Sequence, residues 1–311
     1  MNASDITIAI PTLGRGRLLL ETVRLLIDLR PAAGAILVVD QTPKHDDDVS
    51  GQLNAWAAAG TVRWLRRQTP SVPGAMNDAL RAAQTGLVLF VDDDIVPGSH
   101  LAGAHAKAYD DEPEAWAVAG QVLQPGEEPA EPLRTWREAG WLAGLDFPFR
   151  STRRAWVRNG MAGNLSVRRD RAVQIGGFDE NFRGVAFRFE TEFCQRLWDH
   201  GGKVLFDPAA SIRHLRAADG GTRCYGRHQT SASPSHGVGD YYFALRRGSG
   251  VSRIAYMARR PVREVCTRFH LRHPWYIPVK LAGECLAFLW ALRLAARGAR
   301  HMDKGTLSRH S

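Results

Sequence analysis

Leu87, Val88, Leu89, Phe90 and Val91 follow Gly86 without a polar interruption, and Asp92, Asp93 and Asp94 come directly after them. An apolar run of this length fits a strand buried on both faces, as in a sheet covered by helices. Carboxylates at the C-terminal end of such a strand stand where open α/β sheets take their ligands. Three adjacent negative charges repel one another unless a cation lies between them, and hard oxygen ligands suit Mg²⁺ and Mn²⁺. Asp92 and Asp94, one residue apart, can face the same ion or the phosphates bound to it. An isolated acidic triplet would more simply be a solvated turn capping a helix. The strand ahead of it favours the cation.

The chain before this point alternates short apolar runs with amphipathic stretches. Ile6–Ile10, closed by Pro11 and Gly14, reads as a strand and turn, and Leu18–Leu29 has helical spacing. Ala35–Val39 is a second strand ending at Asp40, Val49–Ala59 a helix, Val62–Leu65 a third strand and Ala75–Ala83 a helix. Strands alternating with helices of this length predict βαβ units around a mostly parallel sheet. Each strand ends in a polar or charged residue: Thr12, Asp40, Arg66 and Asp92. Beyond residue 98 the periodicity weakens. Trp116–Val122 reads as a strand, and residues 124–155, rich in Pro, Glu, Arg and Trp, as a long, partly mobile segment of the kind that often serves as a lid. Gly163–Val167 restores regularity, a short helix leads from there to Gly176-Gly177-Phe178-Asp179, a further helix is expected over Phe187–His200, and Lys203–Phe206 is a strand closed by Pro208.

The charge is divided unevenly. Residues 1–212 carry 23 basic and 27 acidic side chains, net −4, whereas residues 213–311 carry 18 and 5, net +13. Nearly all of this excess is arginine, which points to a polyanionic surface nearby. Four scattered cysteines without a C-x-x-C pair suit a reducing compartment. The first residues show no basic stretch leading into an apolar one, so no secretory signal is expected.

These pieces occur in an order that resembles family-2 glycosyltransferases of the GT-A fold, of the bacterial non-processive type. The resemblance is carried by Ile10-Pro11-Thr12, Val38-Val39-Asp40, Pro73-Gly74-Ala75-Met76-Asn77 and the Asp92–Asp94 triplet. It continues through Gly176-Gly177-Phe178-Asp179-Glu180, Phe189-Glu190-Thr191-Glu192 and His214. It covers roughly residues 5–215. No Q-x-x-R-W motif of processive synthases is found. The resemblance implies a nucleotide-binding, Rossmann-like half over residues 1–215, followed by a basic, mainly helical region over 216–311 that meets the acceptor or a membrane.

By the same resemblance Pro11, Thr12, Asp40, Asn77, Asp92 and Asp93 belong to the nucleotide-sugar site, with Asp40 accepting a hydrogen bond from the base. Asp92, Asp94 and His214 would hold Mn²⁺ or Mg²⁺, and Glu190 would act as general base. The family's usual Glu-Asp pair is Phe189-Glu190 here, which makes the base one methylene longer. Glu192 lies about 200° further round a helix, so the two carboxylates cannot face one acceptor, and Glu192 is expected to be a supporting, structural acid. The implied chemistry is a metal-dependent transfer from a nucleotide-diphosphate sugar to a hydroxyl, with inversion. The acceptor would be a glycan or lipid-linked molecule of cell-surface polysaccharide synthesis.

Leu281–Ala296 is apolar apart from Glu284 and Arg293. It is shorter than the ~20 apolar residues of a membrane span. With Trp275, Tyr276 and nearby arginines it suggests an interfacial helix, although a core helix would look similar. The expected location is the cytoplasm, peripheral at the inner membrane face, against an anionic surface. No nucleic-acid partner is expected, since no recognised module is present. Cys224, His228 and His236 fit no standard zinc spacing. Two rivals stay open: a catalytically inactive GT-A scaffold or binding subunit, and a nucleotidyltransferase using Leu13-Gly14-Arg15-Gly16-Arg17 as a phosphate loop.

Overall fold

Alternation along the buried strands divides the apolar side chains between two cores, because successive strand residues point to opposite faces. A computed structural model describes residues 1–132 and 135–302, the side chain of Arg223 excepted. Its first half runs β1 (Ile6–Thr12), α1 (Arg17–Ile27), β2 (Ala35–Asp40), α2 (Asp47–Ala58), β3 (Arg63–Arg66), α3 (Val72–Ala82) and β4 (Leu87–Val91). Then come β5 (Ile95–Pro97), α4 (Leu101–Asp111), β6 (Ala115–Leu123), β7 (Ala155–Val157), β8 (Asn164–Arg168) and α5 (Arg169–Gln174). The remainder is α6 (Phe189–Asp199), β9 (Lys203–His214), α7 (Val238–Arg247), α8 (Gly250–Val265), α9 (Arg268–Arg272) and α10 (Tyr276–Ala296).

One sheet joins the strands in the order β3-β2-β1-β4-β8-β6-β9-β5, with β7 on β9. The β3-β2-β1-β4 half is parallel, as expected; beyond β4 the sheet becomes mixed, because β8 runs antiparallel to both β4 and β6. Leu87, Leu89 and Val91 face a core shared with α1, α2 and α4. Val88 and Phe90 face the opposite core, filled from α3, α5, α6, α7 and α10.

Three sequence expectations change. Strand β9 does not stop at Pro208 but continues to His214. It passes the proline at a register break against β6, between Gly120 and Gln121, where a missing amide donor is tolerated. Helix α4 was hidden by its alanine-rich, weakly apolar sequence. The segment 124–155 is largely irregular, but its described residues pack: Ala143 and Phe147 are buried, and the Phe147 ring lies 4.7 Å from that of Phe206. Leu133 and Arg134 of that segment lie outside the described residues.

The basic C-terminal region is helical. Ala287, Ala291 and Leu294 of α10 join the same core as Tyr241, Tyr242 and Phe243 of α7. A buried ionic network supports this packing: Arg260 of α8 binds Asp240 of α7 and, at 2.9 Å, Glu284 of α10. Lys280 lies 3.2 Å from Glu284. Charges this far from water are tolerated only in such mutual pairing. The opposite side of α10 is exposed, so it is neither wholly a core helix nor free of the core.

Candidate active site

The triplet expected from sequence stands at the end of β4, and β9 delivers His214 to it. Pairing of β5 with β9 sets Ile95 opposite His214. This brings His214 Nε2 to 3.1 Å from Asp94 Oδ1 and 3.7 Å from Asp92 Oδ2. Ligand atoms of Asp92, Asp94 and His214 all lie within 4.8 Å of one another. Two carboxylates and an imidazole form a donor set that fits Mn²⁺ or Mg²⁺. Among the described residues it is the sole such cluster, and Cys224, His228 and His236 do not form one; His228 instead binds Glu264 at 2.6 Å. Burial works to raise the Asp94 carboxyl, but the bond to His214 and the Ala217 amide hold it below the usual range. Gly163 flanks the cluster because a Cβ there would collide with Asp92 Oδ2.

Asp93 has partners of its own. Thr12 Oγ1 donates to it at 2.7 Å and Arg15 Nε at 2.9 Å, and Arg15 Nη2 also reaches Asp94 at 3.4 Å. Sequence reasoning treated Arg15 only as part of a rival phosphate loop, yet its guanidinium is committed to the triplet. Arg17 points outward to Asp48. That arrangement leaves the nucleotidyltransferase reading without its loop.

A cleft of about 290 Å³ opens over the sheet edge, lined by Pro11, Thr12, Asp92, Asp93, Asp94 and His214 together with Gln41, Ser71, Met76 and Tyr225. Four expected residues are not on its wall: Asp40, Asn77, Glu190 and Glu192. Asp40 is fully buried; it accepts from the Thr42 amide at 2.8 Å and Trp64 Nε1 at 2.9 Å, and meets His45 Nε2 at 2.7 Å and Arg66 at 3.2 Å. The next residue, Gln41, takes the place on the wall, and its Oε1 accepts from the Ser71 amide. Asn77 is likewise buried. It clasps the Phe178 backbone, accepting from its amide at 2.8 Å and donating to its carbonyl at 2.9 Å. Asn77 therefore anchors α3 to the Gly176–Asp179 turn. Gln124, also missed, holds His214 Nδ1 at 3.0 Å.

The two carboxylates of α6 occupy different environments. Glu192 forms a two-pronged pair with Arg196, at 2.9 and 3.0 Å, and Arg196 also binds the Ile175 and Gly177 carbonyls. Glu190, in the first turn, has a buried Oε2 without a hydrogen-bond partner among the described residues. Burial pushes its carboxyl up to about 7, against the pull of its own backbone amide and of Arg188. The charge of Asp92 adds to the rise.

The family model for Glycosyl transferase family 2 matches residues 7–175. A curated relative, the Glucosyl-dolichyl phosphate glucuronosyltransferase of Haloferax volcanii, is 27% identical over 133 residues, covering 41% of this chain and 42% of that protein. Among solved structures, S. aureus TarS 1-349 aligns with a TM-score of 0.57 at 13% identity, over 95% of this chain and 83% of that one. GalNAc-T7 with UDP, GalNAc and Mn²⁺ aligns with a TM-score of 0.56 at 14% identity, over 88% and 56%. The mannosyltransferase PcManGT of Pyrobaculum calidifontis, in complex with GDP-Man and Mn²⁺, aligns with a TM-score of 0.53 at 18% identity, over 94% and 79%. The fold is that of GT-A glycosyltransferases, as the sequence led us to expect.

Proposed function

Starting from the premise that the chain belongs to glycosyl transferase family 2, we propose a single in-line displacement of sugar from a nucleotide-diphosphate donor, with inversion, onto a hydroxyl of a glycan or lipid-linked acceptor. Asp92, Asp94 and His214 would hold a divalent cation, Mn²⁺ or Mg²⁺, which supplies charge neutralisation to the departing diphosphate. Pro11, Thr12 and Gln41 form the wall for the nucleotide, and Arg15 keeps the triplet in place by binding Asp93 and Asp94. The acceptor oxygen bonds to the anomeric carbon as the bond to the diphosphate oxygen breaks. The hydroxyl proton passes to Glu190, and the electron pair leaves on the nucleoside diphosphate.

The observation that carries this reading is the buried Glu190 Oε2, which has no hydrogen-bond partner among the described residues. A structural carboxylate there would have acquired a partner, as Glu192 has. Nucleotide titration and nucleoside-diphosphate release from a panel of nucleotide sugars, with and without chelator, test it. Cation-dependent binding and release are expected. Undiminished release in excess chelator removes the cation from the mechanism, and failure to bind any nucleotide supports an inactive scaffold.

A peripheral membrane setting, at the inner face, belongs to the same proposal. No helix among the described residues is long and apolar enough to cross a membrane. However, ten of the fifteen exposed large apolar side chains fall between Val251 and Leu292, including Trp275, Leu286 and Leu289. Exposed Arg259, Arg263, Arg268, Arg272 and Arg293 lie among them. Apolar insertion with arginine contacts suits an anionic bilayer. The Haloferax volcanii relative is by name a transferase for a glucosyl-dolichyl phosphate, which agrees with a lipid-linked acceptor.

A further inference from the structure

Beside the cleft lies a second cavity, of about 400 Å³, between the Phe182–Gly184 turn and α10. The two share Pro70, Ser71, Gly184 and Tyr225, so they form neighbouring compartments of one depression. The second compartment has its own chemistry. Arg183 enters from the turn and Arg297 from the C-terminal end of α10, with Trp290 and Leu294 between them. Neither guanidinium makes a hydrogen bond or ion pair among the described residues. Arginines set deeper in the fold are paired, Arg260 with Asp240, Arg67 with Asp78 and Arg15 with Asp93, whereas Arg183 is half-buried and Arg297 exposed. Two cations lining one concavity without a carboxylate repel each other, and an anion relieves that repulsion.

The position on α10 adds a second constraint. At about 100° per residue, Trp290, Leu294 and Arg297 fall within about 60° of arc, and Leu286 lies about 40° beyond Trp290. Leu286 opens the exposed apolar face that continues through Leu289 and Leu292. The cavity thus has cations within and an apolar surface at its rim.

Resting on the sugar-transfer reading above, we propose that this compartment is the acceptor subsite and that it takes a phosphate-bearing headgroup with an apolar tail. Arg183 and Arg297 bind the phosphate, Trp290 packs against the adjoining part of the acceptor, and the tail leaves over Leu286 and Leu289. The shared wall at Gly184 and Tyr225 sets a hydroxyl carried near that phosphate beside the donor compartment.

The test uses farnesyl phosphate, below its micelle-forming concentration, titrated into the full chain in chelator with no nucleotide present. Farnesol and inorganic phosphate are run beside it. Farnesyl phosphate should bind at least tenfold more tightly than either. Arg183→Gln and Arg297→Gln should each weaken it about tenfold or more, while the affinity for UDP or GDP with Mn²⁺ stays unchanged, which also verifies folding. Equal affinity for farnesol would show an apolar slot without anion recognition and overturn the proposal. Equal affinity for inorganic phosphate would assign the cavity to a free anion and overturn it as well. A parallel loss of nucleotide affinity in the variants would move the arginines to the donor. Since the probe needs neither donor nor cation, failure of this test and failure of the sugar-transfer reading are separately visible.

Discussion

Glu190 and Glu192 sit two positions apart and should fail in opposite ways when changed. Glu190→Gln keeps the shape and removes the proposed base, so donor affinity should hold while turnover falls about 10²–10⁴-fold. Wild-type turnover should decline as pH drops through about 7, where the buried Glu190 carboxyl takes up its proton, and the residual rate of the variant should lack that limb. Stability gives an independent reading. The folded-state value lies above the unfolded one, so the native state binds the proton more tightly and stability falls as pH rises from the usual carboxylate range towards 7. Glu190→Gln should therefore melt a few degrees above wild type at pH 8 and show no gain at pH 4.5. Glu192→Ala strips Arg196 of its partner deep in the protein, which typically costs about 3–5 kcal/mol, seen as a lower Tm. The separation of the two acids followed from helical spacing alone. The inward placement of Asp40 and Asn77 was not legible because a carboxylate or amide at an element's end looks the same in sequence whether it faces the cleft or its own protein. What decides is Trp64, Arg66 and Phe178, contributed from elsewhere in the chain.

Elements that bury a continuous apolar run could be read from sequence; those organised by backbone or small residues could not. β4 and α1 were plain, whereas α4, with alanine at four of its eleven positions, offered little contrast between its faces. β9 crossed Pro208 because the sheet has a register break at that level, a fact about its partner β6 that the proline itself does not reveal. The start of β8 provides the element-scale test. Gly163 precedes Asn164, and a methyl at Gly163 would push Asp92 away from the cluster. Gly163→Ala should weaken cation-dependent nucleotide binding by about tenfold or more and leave binding in chelator as it was, measured by calorimetry. Equal loss in both conditions would mean that β8 itself had shifted.

At the scale of the whole molecule, the C-terminal helices are part of the fold and also its most apolar exterior. Removing α8–α10 would strip Asp240 of α7 of Arg260 and Arg263 and uncover Tyr241, which packs on Phe288, so point changes on the outer face make the cleaner experiment. Leu286→Asp with Leu289→Asp should abolish sedimentation with anionic vesicles at unchanged Tm. Wild-type binding should weaken as salt rises, since each basic residue near such a surface contributes about 1 kcal/mol within a Debye length. Retention of the double variant on vesicles would place the contact elsewhere. Asp92 and Asp94 close β4, whereas His214 closes β9, 120 residues after Asp94. In a half-folded chain these three residues are strangers, and the cation site proposed above would be complete only once the last strand has docked. Capture of the ion would then coincide with completion of the sheet. Mn²⁺ a hundredfold above its Kd should add about 2.7 kcal/mol of stability. In stopped-flow unfolding that increment should appear as slower unfolding at a constant refolding rate; faster refolding instead would mean that β9 docks before the barrier is crossed.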